Sequence, residues 1–160
     1  MRRLCKMFGQ RLPSIACLVA LVISSFGCGS EWRKKFDKMV QDTKQQHKAA
    51  DVQAALAPLF SYERIVTNHL PDGSSIAVIG DITNELPKEV TSLPIFADDP
   101  EGITVGHLTT NKSVLILLIG SGFGHWGIVV ARPGHESEIS PWHRKRLTAW
   151  EKGVYFYDGE

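Results

Sequence analysis

Cysteine is scarce in this 160-residue chain, which contains three, at positions 5, 17 and 28, and none after Cys28. The region beyond residue 28 can therefore form no internal disulfide, no thiolate-ligated zinc site and no Cys–His catalytic pair. We expect this region to be stabilised by its packed core alone.

Acidic residues are missing from the first 28 positions, which hold four of the 18 Lys and Arg residues. The remainder carries 14 basic against 17 acidic residues, and the whole chain has a formal charge of +1. Nucleic-acid-binding domains usually show a strong, clustered positive charge, so we exclude nucleic acid as the partner. The length corresponds to about one domain, and a hydrophobic content of 43% excludes a disordered or collagen-like chain.

A long apolar run is also missing, because the uninterrupted hydrophobic stretch at Ile15–Ile23 is short. A bilayer-spanning helix needs about 20 apolar residues. The stretch follows the basic segment Met1–Arg11 and is followed by small residues. This order is typical of a secretory signal peptide.

The end of the apolar run carries a more specific pattern, in which Ser-Ser-Phe-Gly directly precedes Cys28. This pattern resembles the lipobox of bacterial lipoprotein precursors, although Ser25 stands where that family most often has Leu. The resemblance implies that residues 1–27 are removed and that Cys28 receives a thioether-linked diacylglycerol. Two or three acyl chains anchor a protein stably, since each buried methylene contributes about 0.8 kcal/mol. We therefore expect attachment through Cys28 to the cell membrane or outer membrane, outside the cytoplasm.

Two alternatives to lipidation remain, an ordinary secretory signal and an uncleaved N-terminal anchor. On the lipoprotein interpretation, the chain divides into the signal peptide 1–27, a lipidated and polar helical tether at 28–50, and one domain at 51–160. Helical spacing of apolar residues predicts a helix from Ser30 and a second one from Asp51. Pro58 should end or kink the second helix.

The pattern beyond residue 60 is typical of strands separated by turns. We predict an α+β fold, with N-terminal helices packed on a small, mostly antiparallel sheet. A polar loop should connect the last two strands. The predicted strands are Ser75–Ile79, an edge segment at Ile95–Phe96, Ile103–Leu108, a strand at Ser113–Ile119 that is buried on both faces, His125–Ala131 and Val154–Tyr157.

The glycine-rich stretch Gly120–Gly127 is the strongest local signal for chemistry. Gly122–Gly127 matches the G-x-G-x-x-G pattern, but a dinucleotide site needs a helix at this point. The following β-branched residues and the breaker Pro133-Gly134 predict a strand instead. A nucleophile elbow around Ser121 lacks both flanking glycines and the following helix. A β-hairpin with a glycine-rich loop is the remaining structural interpretation.

The segment His125–Val130 is similar to the His-bearing strand of the NlpC/P60 cell-wall peptidases. In that family the His is the base for a Cys. No Cys follows Cys28 here, so the resemblance lacks its nucleophile and the activity is not carried over.

We predict a lipid-anchored envelope protein with a non-catalytic binding or structural role, and we assign it no cofactor and no metal. Aromatic residues gather near the C-terminus and suit a protein or glycan partner. The candidate contact residues are Gly122, Gly124, His125 and Trp126, with Trp126 and the Gly120–Gly127 loop as the expected exposed feature. Strand alternation places His125 and Trp126 on opposite faces.

The enzymatic alternative is a thiol-independent hydrolase that uses His125, paired with Asp98 or Asp99. It requires the His125 ring to lie in a pocket within hydrogen-bond reach of a carboxylate or a serine. The binding alternative requires an exposed glycine-rich loop and an exposed Trp126. The position of these side chains separates the two hypotheses.

Overall fold

A computed structural model describes residues 15–62, 66–69, 75–120 and 125–159. Side chains are described from residue 31 onward within these ranges, except at 66–69, 75–81 and 83. The α-helices are α1 (Ile15–Gln46), α2 (Ala49–Leu56), α3 (Lys88–Thr91) and α4 (Pro141–Arg144). The 3₁₀ turns lie at Ala57–Ser61, Thr83–Glu85, Pro94–Phe96 and Glu136–Glu138. The strands are β1 (Val66–His69), β2 (Ser75–Asp81), β3 (Thr104–His107), β4 (Val114–Ile119), β5 (Trp126–Ala131), β6 (Leu147–Glu151) and β7 (Val154–Asp158).

The strands form one seven-stranded sheet in the order β1-β2-β3-β4-β5-β7-β6. All six neighbouring pairs are antiparallel. The helices α1 and α2 precede the sheet in the chain, so the predicted α+β fold is confirmed. Two strands, β1 and β6, were not predicted, and β6 lies in the segment that we expected to be a polar loop.

The chain divides into two compact units, Met1–Lys35 and Phe36–Glu160. The described part of the first unit is the beginning of α1. The second unit contains the end of α1, the other helices and the sheet. Cys28 lies in the stretch of α1 for which the backbone alone is described.

The end of α1 belongs to the second unit and contributes buried side chains to it. Phe36, Met39 and Val40 are buried, as their helical spacing predicted. The Thr43 hydroxyl is buried too; it donates to the Met39 carbonyl (2.7 Å) and accepts from the Ile95 backbone N–H (3.2 Å). Between positions 41 and 48, Thr43 is the one buried residue, and the other side chains there are exposed or half-buried.

One face of the sheet, here called the inner face, is covered by the helical segments. The Lys44 ammonium lies over the ring of Phe156 in β7. The guanidinium of Arg132, which follows β5, lies over the ring of Phe60 in the 3₁₀ turn Ala57–Ser61. The side chains of β3, β4, β5 and β7 on this face are buried throughout. They are Val105, His107, Leu115, Leu117, Ile119, Trp126, Ile128, Val130, Val154, Phe156 and Asp158.

The opposite face, here called the outer face, is covered less completely. Its buried centre consists of Val114, Ile116, Val129, Ala131 and Tyr157, against which Ile139 packs. The neighbouring apolar side chains Leu118, Leu147 and Tyr155 remain partly exposed. The connection from β5 to β6 therefore covers only part of this face. Both faces of β4 are nonetheless buried over most of its length, as predicted.

Proline decides the local structure at two places in the helical half. The helix α2 ends at Leu56, and Pro58 lies in the first turn of the 3₁₀ segment that follows, as its fixed φ predicts. The predicted edge strand at Ile95–Phe96 is wrong. Pro94 begins a 3₁₀ turn there, and both following side chains are fully buried beneath the sheet.

The strands β4 and β5 flank the glycine-rich stretch and pair antiparallel, so a strand rather than a helix follows it. Gly120 leaves β4 with a φ of 110°, a conformation that favours glycine. Gly127 lies so close to β4 that a Cβ would collide with the Leu117 carbonyl. These two glycines are accounted for by backbone geometry, without a ligand.

Candidate functional site

Trp126 is buried, with 5% of its surface exposed, which contradicts the prediction that it forms an exposed contact. It points to the inner face, where its indole N–H donates to the Ile95 carbonyl (3.0 Å). A buried indole usually satisfies its N–H in this way. Trp126 therefore joins β5 to the 3₁₀ turn Pro94–Phe96 and is not available to a ligand. The loop glycines Gly122 and Gly124 lie outside the described residues.

His125 is exposed and precedes β5, so it and Trp126 have the opposite orientations that alternation along a strand predicts. Its carbonyl accepts from the Gly159 backbone N–H (2.8 Å), and a Cβ at Gly159 would contact this carbonyl closely. The His125 ring makes no hydrogen bond to any side chain in the described ranges. Asp98 and Asp99, exposed after the Pro94–Phe96 turn, are therefore not its partners. The described residues lack the pairing that the hydrolase alternative requires.

A polar cluster that the sequence did not reveal joins the β3–β4 turn to the 3₁₀ turn Glu136–Glu138. One oxygen of the Glu138 carboxylate accepts from the Ser113 hydroxyl and from the Asn111 amide (2.7 Å). The other oxygen lies 2.7 Å from Nδ1 of His135. The Ser113 hydroxyl also lies 2.9 Å from the Thr109 hydroxyl.

The order of groups in this cluster is Ser–Glu–His, which is unsuited to activating a serine. A catalytic triad places the imidazole between the hydroxyl and the carboxylate. Here the hydrogen bond from Ser113, followed by those from His135 and Asn111, lowers the pKa of Glu138 to about 2. Such a carboxylate is a poor base at neutral pH. The cluster therefore acts as a tie between two turns.

His107 is a buried histidine on the inner face, with 2% of its surface exposed. Neither ring nitrogen makes a hydrogen bond within the part of the chain that the structure describes. Burial lowers the pKa of the His107 ring below its usual value, and the positive charges of Lys112 and Arg132 lower it further. The Tyr62 backbone raises the pKa of the ring, but its effect is smaller than those of burial, Lys112 and Arg132. The ring is thus held neutral in an apolar site.

Trp142 is the one large hydrophobic side chain that is exposed within the described ranges, with 38% of its surface accessible. The short helix α4 begins with Pro141, and the Ser140 hydroxyl caps it by accepting from the His143 backbone N–H (3.3 Å). The Arg146 guanidinium lies 4.3 Å from the centre of the Trp142 ring, and the His143 ring packs edge-on at 4.7 Å. The exposed indole thus makes a cation–π contact and an edge-on ring contact with its neighbours.

Basic residues surround this indole at the sequence Arg144-Lys145-Arg146. Arg144 fastens the preceding turn, since its guanidinium donates to the Ile139 (2.8 Å) and Glu136 (3.0 Å) carbonyls. Lys145 is exposed, and Arg146 is partly exposed beside Trp142. We call Trp142, Lys145 and Arg146 the Trp142 surface. The Trp142 surface is positively charged, although acidic residues outnumber basic ones in residues 29–160 as a whole.

A cleft of about 480 Å³ lies next to this surface, between the turn that precedes α4 and the outer face of the sheet. Apolar side chains from β6 and β7 form part of it, and Glu136 and Arg144 contribute its charged groups. The full lining is Glu136, Ser137, Ile139, Arg144, Leu147, Ala149 and Tyr155. Among the described aromatic residues near the C-terminus, Trp142 is the exposed one, and it lies in the connection to β6.

Comparison with known proteins finds no matching family model, no matching curated protein and no matching solved structure. Within the described residues, no three His, Cys, Asp or Glu side chains are placed to hold a metal ion. The same part of the chain contains no helix with both the length and the apolar character of a membrane span. The function is therefore argued from the sequence pattern around Cys28 and from the surfaces described above.

Proposed function

We propose that this protein is anchored to the envelope by lipid on Cys28 and that its folded domain is a non-catalytic module that binds another envelope component. The anchor is supported by the sequence alone, through the basic segment, the short apolar run and the residues Ser24–Cys28. The thiol is the group that is alkylated, because a thiolate is the nucleophile suited to that reaction.

The binding role is supported by one observation, the exposed indole of Trp142, which packs against the Arg146 guanidinium. Tryptophan and arginine contribute a large share of the binding energy at protein interfaces. A side chain that is already fixed loses little conformational entropy on binding. Trp142 and Arg146 already pack against each other, so we expect a small loss of conformational entropy at this surface on binding.

The anchor is tested by labelling cells with palmitate and comparing Cys28→Ala with Cys17→Ala. Both variants lose one thiol, but only Cys28 occupies the lipobox position. We expect the label to disappear from Cys28→Ala and to persist in Cys17→Ala. Equal labelling of the two variants would refute lipidation at Cys28.

The binding role is tested by placing a photo-cross-linking amino acid at position 142 in intact cells. The matched control is position 152, where Lys152 is exposed in the turn between β6 and β7. We expect a cross-linked product of defined mass from position 142 and none from position 152. The absence of any product from position 142 would refute a binding role for the Trp142 surface.

A further inference from the structure

The strand β6 ends the sheet on one side, and no described strand lies beyond it. In an antiparallel pair, opposed residues alternate between pairs that exchange two backbone hydrogen bonds and pairs that exchange none. The Asp158 N–H donates to the Arg146 carbonyl (3.0 Å), so these two residues occupy a bonded position, although the Arg146 N–H donates to the His143 carbonyl (2.9 Å) instead of to β7. Leu147 and Ala149 are then in non-bonded pairs, and their N–H and C=O groups point away from β7. The edge of β6 thus presents backbone groups to a further strand.

One of these edge groups is engaged by a lysine. The Lys44 ammonium donates to the Ala149 carbonyl (2.9 Å), and both residues are exposed. Lysine is a common means by which proteins protect an open sheet edge from uncontrolled pairing. A lysine on a flexible stem can leave when a better donor arrives. The edge is therefore protected but not closed.

The cleft is continuous with this edge, because Leu147 and Ala149 of β6 line it. Their side chains point to the outer face, opposite Tyr157 and Tyr155. An added strand would place every second side chain on this face, next to the cleft. Peptides that bind by strand addition gain affinity from main-chain hydrogen bonds and specificity from such side-chain pockets.

The charge near the beginning of β6 indicates which residues the added strand should contain. The Trp142 surface immediately precedes Leu147, so its positive charges lie at this end of the edge. Lys145 and Arg146 favour an acidic residue there, and arginine binds carboxylates in a defined geometry. The apolar part of the cleft favours an apolar residue further along the strand.

We propose that β6 binds an extended peptide segment of a partner protein as an eighth strand. An apolar side chain of that segment occupies the cleft, and an acidic residue contacts Lys145 and Arg146. This inference rests on the proposed binding function and specifies its partner. Pairing with a second copy is the less favoured occupant, because two copies would have to displace two Lys44 ammonium groups, whereas a peptide displaces one.

The test selects from a phage-displayed library of random octapeptides on the purified full-length protein and measures the affinity of the selected peptide by fluorescence anisotropy. We expect sequences with alternating apolar residues and an acid at one end. The same peptide with N-methylated alternate amides should lose binding, because it cannot donate the main-chain hydrogen bonds. Failure to enrich any such sequence would overturn the proposal.

The variant Ala149→Pro removes the outward N–H without touching the bonds to β7, as proline is tolerated at a sheet edge whose N–H faces solvent. We expect it to weaken the selected peptide by about tenfold or more, with Lys152→Ala as the matched control. Unchanged affinity in Ala149→Pro would contradict strand addition.

Two further variants keep the proposal testable if Ala149→Pro fails to fold. Lys44→Met should tighten peptide binding severalfold, since the edge carbonyl becomes free. Lys145→Glu should weaken acidic peptides and favour their lysine-substituted versions. Dimers of Lys44→Met in analytical ultracentrifugation, with no peptide binding, would show instead that the edge pairs with a second copy. A cross-link from position 142 that survives in Ala149→Pro would refute strand addition and leave the binding function standing.

Discussion

The β4–β5 hairpin and the connection from β5 to β6 illustrate two different ways of fixing a chain. The hairpin is held by continuous apolar burial, and nearly every side chain of its two strands is buried. The connection, residues 132–146, is mostly polar and is held by a few directed hydrogen bonds, such as those of Arg144 and Glu138. The two strands of the hairpin therefore expose little side-chain surface to a partner. Polar ties fix a segment while its remaining side chains, such as Trp142, face solvent.

The largest effect should come from removing an indole from the hairpin. We expect Trp126→Ala to lower the free energy of unfolding by about 3–5 kcal/mol, because it leaves a cavity and an unpaired Ile95 carbonyl. Trp142→Ala, the same change in the connection, should cost less than about 1 kcal/mol. Urea denaturation of both variants measures the difference. Similar costs would show that the two regions are not stabilised differently.

The stability that depends on His107, a buried polar residue on the inner face, should respond to pH. The folded state holds His107 neutral with a lowered pKa, so stability is fully present above the unfolded-state pKa of about 6.5 and is lost as the pH falls below it. We expect His107→Leu to abolish this part of the pH dependence. At pH 7.5 it should also raise the free energy of unfolding by about 1–2 kcal/mol, since two unpaired buried nitrogens are removed.

Urea denaturation at pH 7.5 and 5.5 measures both effects, and His47→Leu, at a half-exposed position, is the control. If His107→Leu retained the full pH dependence of the free energy of unfolding, that dependence would arise from another titratable group.

Arg144→Met should loosen the connection without affecting the hairpin. The variant keeps an apolar stem but removes the two hydrogen bonds to the Ile139 and Glu136 carbonyls, at a cost of about 1 kcal/mol. Hydrogen exchange should accelerate in residues 136–144 and stay unchanged in β4 and β5. Lys145→Met is the matched control, and equal exchange in the two variants would contradict a tie through Arg144.

The smallest effect concerns the charge of Glu138. Loss of the Ser113 hydroxyl in Ser113→Ala should raise the pKa of Glu138 from about 2 toward its ordinary value of 4.5. The stability that the hydrogen-bonded carboxylate contributes is present above pH 4.5 and is lost as the pH falls toward 2. A carboxyl NMR titration measures the pKa, with Ser137→Ala as the control. An unchanged pKa in Ser113→Ala would mean that another donor holds the carboxylate.

Much of the fold could be predicted from the sequence where one local signal dominates. The apolar run Ser113–Ile119, the glycines after it and the β-branched residues after Trp126 agree on a buried hairpin. The strand β6 was missed because Thr148, Ala149 and Glu151 are exposed and give no apolar alternation. The strand β6 joins the sheet through backbone hydrogen bonds to β7, and these bonds depend on the neighbouring strand and not on the side chains of β6.

The candidate site was harder to predict than the fold. Alternation placed His125 and Trp126 on opposite sides correctly, but periodicity does not say which side is covered. Trp126 is buried because the Pro94–Phe96 turn, about 30 positions earlier in the chain, packs over it. Trp142 is exposed because its own segment is held at the surface by Arg144 and Ser140. Neither contact has a signature in the sequence around the tryptophan.

The sequence by itself determined the α+β class, the hairpin and the absence of cysteine after residue 28. These follow from composition, hydrophobic period and glycine placement, which act within a few residues along the chain. Only the tertiary structure decided that Trp142 is exposed, that the ring of His107 is buried without a hydrogen bond and that β6 is the edge strand. Those outcomes depend on contacts between distant segments, and burial is a property of what packs over a residue rather than of the residue itself.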